Sequence, residues 1–224
     1  MSDAPQPSMP STFRLVFTLA LISMLSGVTI VGAYQITRAP IARNHREALE
    51  QDGVFRVLPG ASSTVRYRAD DDGLSRIDDP VDESANVYAG YDDGELIGVA
   101  MEGSAEGYGG SVRVLFGYDP EEETVIGYHV LESSETPGLG ERIRDDEDFL
   151  ANFESLELPL DSEDEALAQD VQVVSPGSAS EPGEIDNITG ATVSVEAVAT
   201  AIQRSAERFL PTIVQNRERI REGE

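Results

Sequence analysis

The hydrophobic positions of this chain follow three patterns along its length. Leu15 to Tyr34 contains no charged residue, residues 62–176 hold short apolar runs separated by acidic turns, and Val195 to Ile213 repeats apolar residues at helical spacing. An uncharged run of about 20 residues can span the hydrocarbon of a bilayer. Short runs between turns are typical of strands, and spacings of three and four are typical of an amphipathic helix. The pattern predicts an α+β fold, an antiparallel sheet with flanking helices, preceded by one N-terminal transmembrane helix.

The turn residues order the predicted sheet as a meander. Asp92-Asp93-Gly94 favours a tight hairpin, and Asp119-Pro120 favours a second turn. Val65 to Arg68 alternates polar and apolar residues, as an edge strand does. The remaining strands are predicted at 88–89, 96–101, 111–118, 124–131 and 171–174.

Helices are predicted at both ends of the sheet. Ile36 to Leu49 is predicted as a short helix broken at Pro40, and the closing helix is predicted to start near Ser194 and to kink or end at Pro211. A further short helix is predicted at 148–153. The resulting boundaries are a disordered tail (1–12), the transmembrane anchor (13–36), a connecting helix and segment (37–60), the α+β domain (61–216) and a solvated tail (217–224).

The apolar run near the N-terminus has two interpretations. Val31-Gly32-Ala33 resembles the cleavage site of a signal peptide, but the run is longer than the 7–15 apolar residues of such a peptide. A retained anchor is therefore favoured. The orientation from charge alone is cytoplasmic for the main domain, because more arginines follow the run than precede it.

The net charge of the chain limits which kinds of partner it can bind. It has 42 acidic and 16 basic residues, a net charge of −26, and no lysine. A surface this acidic makes nucleic acid an unfavourable partner. The acidic residues form small separate clusters, which favours a solvated surface over a calcium loop, since no cluster has the D-x-[DN]-x-[DN]-G pattern. Without cysteine, and with two histidines, the chain predicts no metal site and no thiol chemistry, so a redox role would require an organic cofactor.

Two loops carry the candidate chemistry. Asp186 to Thr192 (DNITGAT) lies directly before the closing helix, where open N–H groups and the helix dipole suit a phosphate, although an ordinary helix start has the same composition. Glu135 to Gly140 (ETPGLG) contains a forced turn at Pro137-Gly138. Leu139 between two glycines suits either a flat contact with a planar ring or a plug in the core.

These two motifs, in this order behind one membrane span, resemble the FMN-binding domains of ion-translocating electron-transport complexes, in particular the G subunits of Rnf complexes. The related C subunits of sodium-pumping NADH:quinone oxidoreductases are similar. The resemblance covers about residues 13–214 and includes Val57 to Ala61 and the glycine turn at Gly107 to Gly110. Thr189 stands where serine is commoner, a change that keeps the hydroxyl.

The resemblance implies that FMN is joined by a phosphoester to Thr192, and that a flavin transferase makes this bond from FAD. It also implies that the domain lies on the periplasmic side of the cell inner membrane, against the charge rule, and that other subunits exchange electrons with it. No catalytic residue is predicted. The predicted cofactor-binding residues are Thr192, Ala191, Gly190, Thr189, Asp186, Glu135, Thr136, Pro137, Gly138, Leu139, Gly140 and Tyr108.

Three functions follow from these observations. The first is an electron-carrier subunit that is not a self-sufficient enzyme. The second is a non-redox anchored module with an acidic extracytoplasmic surface. The third is a flavoenzyme acting on a small molecule, for which the chain offers no dinucleotide fingerprint such as G-x-G-x-x-G.

Overall fold

The computed structural model describes residues 12–48, 53–70, 73–79, 82, 84–154 and 156–223. The tail predicted as disordered lies outside these residues, apart from Thr12. The chain divides into two compact units, Met1–Ala48 and Leu49–Glu224.

The described residues of the first unit form one helix, α1 (Thr12–Ala48). Phe13–Tyr34 within it is long and apolar enough to cross a membrane, and its side chains are exposed. The predicted break at Pro40 is wrong, because the helix continues to Ala48. A proline removes one backbone hydrogen bond from a helix, and the flanking turns keep theirs.

The second unit is built on a six-stranded sheet, which confirms the predicted fold class. Its strands are antiparallel and pair in the order β2-β1-β3-β4-β5-β6. They are β1 (Ser63–Asp70), β2 (Gly73–Ile77), β3 (Val87–Asp92), β4 (Glu95–Glu106), β5 (Ser111–Asp119) and β6 (Thr124–Glu132). The strand predicted at the edge is β1, and the structure places β2 outside it.

A long helix covers one face of this sheet. Helix α4 (Thr192–Gln215) packs on β4 and β5, and its predicted apolar stripe is buried throughout. The helix starts two residues before the predicted Ser194 and continues past Pro211 for another turn, so of the two predicted outcomes at that proline, a kink or an end, the end does not occur.

The opposite face holds the short helix α2 (Val54–Val57), which leads into the domain. Its backbone lies directly on the sheet, since a Cβ at Gly117 or Gly127 would overlap the carbonyl oxygen of Val57. Tyr88 and Leu115 complete the apolar cluster on this face.

The remaining elements lie between β6 and α4. They are a 3₁₀ turn (Gly140–Arg144), α3 (Glu147–Ala151), a second 3₁₀ turn (Asn152–Glu154), and the parallel pair β7 (Gln172–Val174) and β8 (Glu184–Asp186). Helix α3 and the second 3₁₀ turn correspond to the helix predicted at 148–153. The three-residue strand β8 was not predicted, because Glu184 and Asp186 leave it one apolar residue.

The C-terminal segment, predicted as a solvated tail, is helical; most of its described residues are exposed, and it folds against the domain with one buried residue. Helix α5 (Arg217–Glu222) buries Ile220 completely. The hydroxyl of Tyr91 donates a hydrogen bond to the carbonyl of Ile220, and Arg76 donates to the carbonyl of Gly223. One apolar residue among charged neighbours gave no helical periodicity to detect.

Candidate functional site

The DNITGAT loop is a tight turn between β8 and α4. The N–H of Ala191 donates to the carbonyl of Ile188 at 2.9 Å, and Gly190 has a φ of +87°. Glycine reaches this conformation without strain, which explains its place in the turn. The turn delivers the chain to the first residue of α4, Thr192.

The N-terminus of α4 is open to a ligand. Its N-cap is the buried Ala191, and no described side chain caps the first turn. The first N–H groups of a helix have no partner within it, and the helix dipole adds a partial positive charge there. This end of α4 therefore favours an anion.

Thr192 presents its hydroxyl at this helix end. The side chain is exposed, and Oγ1 accepts a hydrogen bond of 2.9 Å from Nδ2 of Asn187. Thr189 is also exposed, and its carbonyl accepts a 3.3 Å hydrogen bond from Arg142, whose guanidinium also pairs with Asp146. Arg142 is therefore a cation that contacts the turn.

The ETPGLG loop lies beside this turn. The carbonyl of Thr136 accepts from the N–H of Leu139 at 3.1 Å, and Gly138 has a φ of +73°. Thr136, Pro137 and Leu139 are exposed, Leu139 by 52%. A Cβ built on Gly190 would lie 3.7 Å from Cδ2 of Leu139, so the two loops meet at this leucine. Because Leu139 is exposed, it does not plug the core, and its contact with a planar ring stays a prediction.

Glu135, in the ETPGLG loop, is hydrogen-bonded to both the glycine turn and the first turn of α4. It is 7% exposed, and its carboxylate accepts from the N–H of Gly109 at 3.1 Å and from the hydroxyl of Ser194 at 2.7 Å. Gly109 belongs to the glycine turn between β4 and β5, and Ser194 belongs to the first turn of α4. One buried carboxylate thus connects three segments that are far apart in sequence.

Glycines make this connection possible. A Cβ at Gly140 would overlap Oγ of Ser194 and Oε2 of Glu135, and a Cβ at Gly107 would overlap Oε1 of Glu135. These positions therefore need the smallest residue for close packing.

Apolar side chains stand exposed around the two loops. Tyr108, at the tip of the glycine turn, is 78% exposed, and Val193, on the first turn of α4, is 46% exposed. The glycine turn touches the ETPGLG loop through Gly109 and Glu135. Val193 follows Thr192 directly, Leu139 lies beside Gly190 of the DNITGAT turn, and Tyr108 precedes Gly109, which is bonded to the ETPGLG loop.

Asp186 contacts a different part of the domain from the other predicted site residues. Its carboxylate accepts from the N–H groups of Ser178 and Ala179 at 2.8 and 3.0 Å, and its own N–H donates to Asn152. These bonds hold the loop between β7 and β8, so the described contacts of Asp186 support the turn from its N-terminal side.

Four residues of the site were not predicted. Ser194 was noted as a helix start, while Asn187, Arg142 and Val193 were given no role. Arg142 and Val193 lie directly after or close behind the two motifs, which was a usable signal. The hydrogen bonds of Ser194 and Asn187 depend on the fold and leave no trace in local sequence.

Similarity to known proteins identifies the family. The FMN-binding domain family matches residues 107–207, which include every predicted site residue. The chain is 30% identical over 203 residues to the G subunit of the ion-translocating oxidoreductase complex of Haemophilus influenzae (strain PittEE), covering 87% of this chain and 88% of the relative. The chain belongs to the family of G subunits of ion-translocating oxidoreductase complexes.

A second member of this G-subunit family, from Cereibacter sphaeroides (strain ATCC 17029), is 29% identical over 197 residues, covering 85% of this chain and 81% of the relative. A solved structure, that of the C subunit of the Na(+)-translocating NADH-quinone reductase from Parabacteroides distasonis, is similar in fold with a TM-score of 0.59 at 17% identity. That match covers 78% of this chain and 94% of the solved chain. The family membership that the two motifs indicated is confirmed, and this G-subunit protein carries an FMN-binding domain.

Proposed function

We propose that the chain is a membrane-anchored electron-carrier subunit whose FMN is joined by a phosphoester to Thr192. The observation that carries this proposal is the exposed hydroxyl of Thr192 at the first residue of α4, where no described side chain caps the helix. Thr189 is exposed too, but it lies within the turn before the helix, so Thr192 is the better attachment point.

The residues present fit an FMN group. The phosphate would take the open N–H groups of α4, a placement worth about 0.3–1 kcal/mol when exposed. Arg142, which contacts the carbonyl of Thr189, would supply nearby positive charge. The exposed side chains of Tyr108, Leu139 and Val193 offer apolar contacts for a planar ring system.

Glu135 would stabilise the loops that border the proposed FMN site. Both of its carboxylate oxygens are hydrogen-bonded inside the protein, so we assign it to fixing the ETPGLG loop against Gly109 and Ser194. Gly140 permits that contact, while Pro137 and Gly138 shape the turn that exposes Leu139.

The attachment reaction needs a co-substrate, FAD, and a flavin transferase. Oγ1 of Thr192 would form the bond to the phosphorus of the FMN half. The bond from that phosphorus to the AMP oxygen would break, its electron pair leaving with AMP, and the hydroxyl proton would pass to a base of the transferase. When bound, FMN supplies the capacity to accept and donate electrons, and the protein holds it in place.

The anchor and the family suggest the cellular setting. Phe13–Tyr34 would cross the cell inner membrane once, with the domain on the periplasmic side. Relatives named as G subunits of ion-translocating oxidoreductase complexes support electron exchange with the other subunits of such a complex.

One experiment tests the proposal. The full chain, co-expressed with a flavin transferase, should remain fluorescent on a denaturing gel and gain the mass of FMN less one water. Peptide mapping should locate that mass at Thr192, and Thr192→Ala should abolish it. A colourless wild-type protein would instead favour the non-redox anchored module, and flavin retained by Thr192→Ala would refute the assignment.

A further inference from the structure

The side-chain amide of Asn187 donates to the hydroxyl of Thr192 and does not cap a backbone N–H group of α4. Nδ2 of Asn187 lies 2.9 Å from Oγ1 of Thr192, five residues further along the chain. An asparagine before a helix commonly caps a backbone N–H group, but no described side chain caps α4. The other side-chain atom, Oδ1, is buried and has no hydrogen-bond partner among the described residues.

The backbone of Asn187 is held firmly in place. Its N–H donates to the carbonyl of Val174 at 2.9 Å, which extends the pairing of β7 with β8 by one residue. The preceding residue, Asp186, is fixed by Asn152 and by the loop that it caps. The amide therefore projects from a fixed edge toward the first residue of α4.

We propose that Asn187 is a positioning residue that orients the hydroxyl of Thr192 for flavin attachment. This inference rests on the function proposed above. The hydrogen bond uses one lone pair of Oγ1 and leaves the second lone pair and the proton available. It thereby selects one rotamer of a side chain that could otherwise turn its hydroxyl toward the backbone.

The orientation of this hydroxyl matters for the transfer step. The bond from Oγ1 to phosphorus forms through the lone pair that the hydrogen bond from Asn187 leaves free, as the bond from phosphorus to the AMP oxygen breaks. Asn187 therefore acts through Thr192 on the rate of transfer, while docking of the chain on the transferase depends on the wider surface.

The role of Asn187 can be tested by the kinetics of attachment. The detergent-solubilised full chain, produced without flavin, is incubated with FAD and a flavin transferase, and covalent flavin is quantified by intact mass. We expect Asn187→Ala and the isosteric Asn187→Asp to lower kcat by about 10- to 100-fold, with KM for the chain within about twofold of wild type. The aspartate variant should be the slower one, because it adds a negative charge beside the phosphate.

Asn216→Ala is the matched control. This asparagine lies at the opposite end of α4 and donates to the carbonyl of Thr212, so its loss affects the helix without touching Thr192. It should attach flavin at the wild-type rate. Wild-type kcat in both Asn187 variants, or a loss that lies in KM, would overturn the positioning role. A wild-type chain that takes no flavin at Thr192 would overturn the proposed function and this inference with it.

Discussion

The hydroxyl of Ser194 donates a 2.7 Å hydrogen bond to Oε2 of Glu135, and both side chains are buried. The two residues are 59 positions apart. One lies in the ETPGLG loop and the other in the first turn of α4, so this bond fixes the distance between the two motifs of the family. The geometry of the site therefore depends on a contact that involves no exposed residue.

Removing this hydroxyl should destabilise the domain more than removing a comparable one elsewhere on α4. Ser194→Ala leaves a buried carboxylate oxygen without its donor, which costs about 1.5–3 kcal/mol. Ser205 is also buried and donates to a neutral acceptor, the carbonyl of Glu102, at 2.9 Å, so Ser205→Ala should cost about 1 kcal/mol. Urea unfolding of the detergent-solubilised protein, followed by circular dichroism, measures both losses. Equal losses would show that the charge of Glu135 adds nothing.

Gly140→Ala should destabilise the domain by overlap, and the loss should shrink when Ser194 is also shortened. The added Cβ would overlap Oγ of Ser194 and Oε2 of Glu135, and such overpacking costs about 1–3 kcal/mol. Since Ser194→Ala removes one of the overlapping atoms, the double variant should be more stable than the sum of the single losses by about 0.5 kcal/mol or more.

Gly138→Ala, combined with Ser194→Ala in the same way, is the control for this double-mutant cycle. A Cβ there meets nothing within 4 Å, and the cost arises from its φ of +73° alone. Its loss, about 1–2 kcal/mol, should add to that of Ser194→Ala without coupling. Coupling of similar size in both double-mutant cycles would mean that the overlap between the new Cβ at position 140 and Ser194 is not the cause of the coupling.

The sequence predicted those parts of the fold that depend on local pattern. The buried stripe of α4 and the hairpin at Asp93-Gly94 follow from spacing and turn chemistry, and both are present. The strand β2 and the helix α5 were missed, because each has too few apolar residues to show a period. Helix α5 contacts β4, buries Ile220 and accepts a hydrogen bond from the hydroxyl of Tyr91 at the carbonyl of Ile220.

For the candidate site too, the sequence predicted some features and missed others. The motifs could be proposed from composition and resemblance, whereas the sequence left open whether Leu139 is exposed or buried. The bond of Glu135 to Ser194 and the bond of Asn187 to Thr192 join residues through the folded backbone. Neither pair has a spacing that local rules would recognise.

Tyr128→Phe should stabilise the domain. The ring of Tyr128 stacks on Phe153 with centroids 4.1 Å apart, and its buried hydroxyl has no hydrogen-bond partner among the described residues. Removing an unsatisfied buried hydroxyl while keeping the ring should gain about 1 kcal/mol. Tyr118→Phe is the control of opposite sign, since that hydroxyl donates to the carbonyl of Leu158 at 3.3 Å and its loss should cost about 1 kcal/mol. Urea midpoints at pH 8 measure both, and a loss of stability in Tyr128→Phe would indicate a partner for its hydroxyl.

The buried tyrosines also make the domain sensitive to alkali. Burial is the largest cause that raises the pKa of Tyr118, Tyr128 and Tyr91 above the usual value of about 10. Their hydroxyls therefore stay protonated in the folded state at a pH where the unfolded chain has already ionised. The free energy of unfolding therefore does not depend on the ionisation of these hydroxyls below about pH 10, and it falls as the pH rises toward the folded pKa, because the unfolded state then binds fewer protons.

We expect the free energy of unfolding to decrease steadily between about pH 10 and about pH 11.5, when measured by urea titration at constant ionic strength. Tyr128→Phe should reduce this slope, because it removes one group that ionises only on unfolding. Below about pH 10 the difference between Tyr128→Phe and wild type should not vary with the ionisation of this residue. An unchanged slope in the variant would mean that the Tyr128 hydroxyl ionises equally in the folded and unfolded chains, which its buried position beside Phe149 and Phe153 opposes.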